Sequence, residues 1–181
     1  PSTVFIDHTM TVRFKGNGVT STQINSIIND MLDDLYNALL ISANFTHDFN
    51  NDVDGDGLIN PGDSFDLAIN VMNKSYNITN AASNVNIELI ADDGIIITSN
   101  NLGNIGNINA QDSFLVNATI AIADDIEIDD YLLNMVVTTT DNNGNVITEE
   151  FQTDFSVTLN QSGFPADVLG ELISSAAIVD I

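Results

Sequence analysis

The chain has no cysteine and no tryptophan, three prolines, and only three Lys and Arg residues against 26 Asp and Glu. Without cysteine it carries neither a disulfide framework nor a thiol nucleophile, so packing, or packing with a metal, must stabilise it. A formal net charge of −23 repels phosphate backbones and anionic lipid, and draws cations toward any concave cluster of carboxylates. Nucleic acid and membrane surfaces are therefore poor partners. With no tryptophan and three tyrosines, an aromatic platform for carbohydrate or protein binding is poorly supplied. No stretch reaches the ~20 consecutive apolar residues of a membrane span, and no basic n-region precedes an apolar h-region, so no membrane insertion is expected.

What is present is a core. The 181 residues are 44% hydrophobic with positive mean hydropathy, enough to offset chain entropy despite the charge. Residues 1–41 change period midway. TVFID (3–7) and MTVRFK (10–15) have the β-branched and aromatic content of strands, and a tight connection at His8 and Thr9 predicts a hairpin. From Thr20 the apolar residues Ile24, Ile27, Ile28, Met31, Leu32, Leu35 and Leu39 fall on one helical stripe, and Thr20 with Gln23 has the spacing of a capping box. Such a unit has an apolar face that it cannot cover itself.

Residues 42–160 read as all β. Alternating apolar positions run through SFDLAINVM, NVNIELIA and SFLVNATIAI, and further strands are expected at NFTHDF, GIIIT, YLLNMVVTTT and VITEEFQTDFSVTL. About seven strands separated by turn signals predict a mainly β fold, an antiparallel sandwich of Ig-like or jelly-roll type. Asp141, Asn142, Asn143, Gly144 and Asn145 mark the tight turn of its last hairpin. Residues 161–181 read as a linker and a terminal strand, and both ends of the chain read as though cut from something longer.

The stretch DVDGDGLINPGD carries the chemistry. Counting from Asp52, carboxylates stand at loop positions 1, 3 and 5 (Asp52, Asp54, Asp56), a glycine at 6, the Leu58 carbonyl at 7, Asn60 at 9 and Asp63 at 12. This is the oxygen-ligand spacing of an EF-hand-type calcium loop, and Ca2+ is a hard cation that takes 6–8 oxygen ligands. Asp63 replaces the usual bidentate glutamate and is one methylene shorter. The competing reading is a solvated Asp/Gly turn, which leaves three carboxylates mutually repelling without a counter-ion. The run of Asp124, Asp125, Glu127, Asp129 and Asp130 reads first as a solvated loop and second as another cation site. His8 and His47 are isolated, without the serine or cysteine context of a catalytic triad. Five Asn-x-Ser/Thr sequons, at Asn44, Asn73, Asn77, Asn117 and Asn160, fit a secreted surface or arise by chance in an Asn-rich chain.

Three resemblances follow from these stretches. PSTVFIDHTMTVRFKGNG with the helix after it resembles the C-terminal half of secreted thioredoxin-like domains, which places Pro1 at that family's cis-proline. The redox Cys-x-x-Cys of the family would lie upstream, and the chain has no cysteine, so redox activity is not carried over. Residues 42–160, through the Asp52 loop, resemble calcium-binding Ig-like modules of CARDB type in secreted bacterial proteins. Residues 161–181 resemble the entry to an FG-GAP or VCBS propeller blade. The resulting expectation is a non-enzymatic, calcium-stabilised structural or adhesive module, extracellular or at the cell surface. Its expected partners are copies of itself or neighbouring domains of a larger chain, and strand addition would build a filament. The alternatives are a fragment of a thioredoxin-like oxidoreductase and an accessory binding module.

Overall fold

The structure is a computed structural model and describes residues 2–49 and 57–159. The expected cis-proline at Pro1, the loop aspartates Asp52, Asp54 and Asp56, the sequon at Asn160 and the terminal strand within 161–181 lie outside the described residues.

The chain opens with the hairpin β1 (Thr3–Ile6) and β2 (Val12–Gly16), paired antiparallel. Its connection is wider than a two-residue turn, and one side chain organises it. Asp7 is buried, and its Oδ1 accepts from the Thr9 and Thr11 amides and the Thr9 hydroxyl. The Arg13 guanidinium donates to the Asp7 Oδ2 at 3.1 Å and reaches across to Asp34 on the helix.

That helix, α1 (Ser21–Asn37), starts where the sequence says it should. The Thr20 hydroxyl accepts from the Gln23 amide while the Gln23 side chain accepts from the Thr20 amide, the reciprocal bonds of a capping box. Its stripe is narrower than expected: Ile24, Ile27, Met31 and Leu35 are half-buried, but Ile28, Leu32 and Tyr36 are exposed. Leu39 is not helical. The backbone turns extended at Ala38, and Leu39 is buried in the core of the next unit.

Eight strands follow among the described residues: β3 (Ile41–Asp48), β4 (Ser64–Asn73), β5 (Ala82–Ile90), β6 (Ile95–Ser99), β7 (Gly103–Ile108), β8 (Ser113–Ile122), β9 (Asp130–Thr140) and β10 (Val146–Ser156). They form two four-stranded antiparallel sheets, ordered β3-β4-β8-β6 and β10-β9-β5-β7. The chain changes sheet at every connection from β4 to β9, so within the sandwich only β3–β4 and β9–β10 pair consecutively in one sheet among the described residues. The strict alternation in β4 buries Phe65, Leu67, Ile69 and Val71, and Val116, Ile120, Val137, Met135 and Ile87 meet them from β8, β9 and β5. Each such side chain contributes about 1.5–3 kcal/mol when fully removed from water, and Phe65 meets Phe155 edge-on at 5.0 Å across the sheets. This is the expected antiparallel sandwich with an N-terminal hairpin and one helix.

Strand registers give the sandwich two poles. The near pole holds the α1 junction and the β4–β5, β7–β8 and β9–β10 connections. The far pole holds the β3–β4, β5–β6 and β8–β9 connections and the end of β10. At the near pole buried Asn73 is a hub: its Nδ2 donates to the carbonyls of Asn80 and Ile108, and its Oδ1 accepts from the Ser75 amide and hydroxyl. Asn80 in turn donates to the Asn37 carbonyl, tying the end of α1 to the sandwich.

Candidate functional site

The described half of the candidate calcium loop, residues 57–63, joins both sheets at the far pole. Ile59 is buried and forms a parallel bridge with Val157 just past β10, and its carbonyl accepts from the Thr158 amide at 2.8 Å. Pro61 and Gly62 then make a turn closed by the Asp63 amide, which donates to the Asn60 carbonyl at 3.1 Å. The Asp63 Oδ2 accepts from the Asn60 amide at 2.8 Å, and the Asp63 carbonyl accepts from the Ile122 amide at the end of β8. Asp63 is only 4% exposed. Five residues, 59–63, thus reach β10 through Ile59 and β8 through Asp63, immediately before β4 begins. Leu58 is exposed at 37%.

Of the six residues assigned to the metal, the structure brings Asn60 and Asp63 into direct contact and places Leu58 beside them. Asp52, Asp54 and Asp56 lie outside the described residues, and among the described residues no three of His, Asp and Glu are grouped to hold a metal ion. The donor set is wholly oxygen, as calcium requires. A further fit comes from Gly62, whose φ of +89° favours glycine. A Cβ there would lie 2.7 Å from the Asp124 Oδ1. The Asp124 carboxylate therefore hangs over the turn that ends the loop, in the space a side chain at position 62 would fill.

Asp124 belongs to the run that the sequence treats as separate. Nothing in the local pattern ties residues 124 and 62; the Ile122–Asp63 bond does, by aligning the ends of β8 and β4. The rest of the run folds against the β5–β6 turn, where Ile126 packs on Gly94 and the Tyr131 hydroxyl donates to the Glu127 carbonyl at 2.7 Å. Burial raises the pKa of the Tyr131 hydroxyl, and the nearby charges of Asp129, Glu127 and Asp92 raise it further. Three connections thus concentrate carboxylates at one pole.

The two histidines stand apart from each other. His8 is exposed in the hairpin connection. His47 is stacked on Phe49 with centroids 5.8 Å apart, tilted against Phe65, and has its Nε2 3.2 Å from the Thr153 hydroxyl. Burial lowers its pKa, and the Asp154 charge opposes that shift. Among the sequons, Asn44 and Asn117 are exposed and Asn77 is half-buried, whereas Asn73 is fully buried with its amide nitrogen donating twice.

No protein-family model matches the chain, and no curated protein matches it. Among solved structures it is similar to a FixG-related protein from Vibrio parahaemolyticus, at 14% identity and a TM-score of 0.41, covering 66% of this chain and 97% of that one. It is similar to the GAE domain of GGA2p from Saccharomyces cerevisiae at 15% identity and a TM-score of 0.39, covering 67% and 96%. The major pilin subunit BcpA of Bacillus cereus matches at 10% identity and a TM-score of 0.34, covering 87% of this chain and 47% of that one. With every one of these TM-scores below 0.5, none of the likenesses bears on function.

Proposed function

We propose that this protein is a non-enzymatic structural or adhesive module, extracellular or at the cell surface, whose sandwich is braced by calcium at residues 52–63 and which assembles with copies of itself by strand addition. The observation that carries the calcium reading is the double attachment of residues 59–63, to β10 through Ile59 and to β8 through Asp63. Bound calcium supplies positive charge and oxygen-ligand demand among carboxylates that otherwise repel. Asp52, Asp54, Asp56, the Leu58 carbonyl, Asn60 and Asp63 would hold it, and the Asp124 carboxylate adds negative potential beside them. An ion held there restrains the point where the two sheets meet, so its binding energy becomes stability of the whole sandwich. The non-enzymatic reading is supported by the wedging of His47 among aromatic rings.

The test is thermal unfolding with calcium and with a chelator. Ligand at a hundredfold excess over Kd stabilises by roughly 2.7 kcal/mol, which for a chain of this size raises Tm by about 5–10 °C. Asp54→Asn should abolish the difference while leaving the chelated Tm unchanged or higher. Superimposed curves for the unaltered chain would remove calcium from the account.

A second reading is favoured by one feature. The β1–β2 sheet keeps an open apolar face and no third strand pairs with it among the described residues, as in an incomplete thioredoxin-like domain belonging to a larger oxidoreductase. A Cys-x-x-Cys encoded ahead of residue 1 in the intact gene would decide for it.

A further inference from the structure

The β1–β2 sheet has two unlike faces. Phe5 and Phe14, 6.2 Å apart, form the half-buried one, and the Arg13–Asp34 pair ties the sheet to α1. The opposite face carries Val4 at 45%, Ile6 at 49% and Val12 at 55% exposure, with exposed Lys15 directly across from Val4. A two-stranded sheet is marginally stable alone, and its outer edges offer unpaired amides and carbonyls.

We propose that this open face and edge receive residues 167–181 of a second copy as an added strand, an inference that rests on the self-assembly reading above. Three observations favour that occupant. Its sequence, DVLGELISSAAIVDI, combines β-branched and aliphatic residues with the carboxylates of Asp167, Glu171 and Asp180, opposite in sign to the one lysine on the apolar face. All three cations of the chain, Arg13, Lys15 and Lys74, lie on the hairpin or at the near pole, while the far pole gathers Asp92, Asp93, Asp124, Asp125, Glu127 and Asp129. The described chain ends beside Ile59 at the far pole. To reach its own hairpin the segment must first run back along a sandwich whose longest strands, at 11 residues, span about 36 Å. That uses about half of the ~75 Å that residues 160–181 cover when fully extended. A second copy stacked head to tail puts its hairpin next to the point of departure. The contact is heterologous, so it propagates as a filament wherever the rotation does not close a ring.

The absence of cysteine makes a clean test. Full-length chains carrying Ile6→Cys together with Ile178→Cys or Val179→Cys, one for each strand parity, are oxidised and run on non-reducing gels. A ladder of covalent oligomers for at least one parity is expected. Oligomers should also be lost on light scattering in Ile6→Asp, and dispersed by a synthetic peptide of residues 167–181. A cyclised monomer would show that the chain covers its own hairpin, overturning the second-copy assignment. Oligomers that persist in Ile6→Asp and ignore the peptide would overturn this docking face while leaving self-assembly intact. A monomer at every concentration would overturn both.

Discussion

Burial leaves His47 with a lowered proton affinity, Asp154 only partly offsetting it, and the sign of its effect on stability follows. Below its ordinary value of 6.5 the unfolded chain binds a proton that the folded chain resists. Stability attached to neutral His47 is therefore complete above about pH 6.5 and drains away as pH falls below it. Tm should decline as pH falls below about 6.5 in the unaltered chain and stay flatter in His47→Gln; parallel curves would show that the ring is not desolvated. Asp7, held low chiefly by the Thr9 hydroxyl, and Asp141, held low chiefly by the Asn145 side chain, lose their contributions only below their ordinary value of 3.8. The two windows are thus separable in one titration. At this scale the sequence was legible wherever spacing alone decides an environment. The turn at 141–145 forms as expected, with the Asp141 Oδ1 accepting from the Asn143 and Asn145 amides. Asp124 was illegible because its neighbour Gly62 comes from a different connection, brought close only by strand alignment.

The elements divide by how much of their stability is local. β4 was readable because it alternates without exception, and α1 because a capping box and a 3.6-residue period coincide. β7 was not expected, and GNIGNI shows why. Gly103 and Gly106 take φ of +88° and +87°, β-propensity is low, and the pairing with β5 is irregular, so the strand exists through its place beside β5. The end of α1 was also misplaced, since Leu39 continues the helical count but gains more by entering the sandwich core. Because α1 buries no side chain completely, its cap matters more than it would in a packed helix. Thr20→Ala should cost about 1 kcal/mol, seen as faster amide exchange across residues 21–37 with the melting of the sandwich unchanged. A lower sandwich Tm in that variant would mean that hairpin, helix and sheets unfold together.

For the whole molecule, net charge and association pull in opposite directions. Two copies at −23 repel over distances set by ionic strength, with a Debye length of about 30 Å at 10 mM salt and about 10 Å at 0.1 M. Apolar burial at the hairpin and backbone pairing along its edge are short-ranged and scarcely screened. An ion pair formed by exposed Lys15 with an acidic residue of the added strand would be worth at most ~1 kcal/mol. Raising sodium chloride from about 10 mM to 0.5 M therefore removes more repulsion than attraction, and the oligomeric fraction should rise. Calcium should act beyond its ionic strength, because a bound ion cancels charge at the acidic pole that must approach the next copy's hairpin. Light scattering across a salt series, repeated at matched ionic strength with calcium and with magnesium, separates the two effects. Association that weakens with salt would show that local charge pairing, rather than apolar strand addition, holds the copies together.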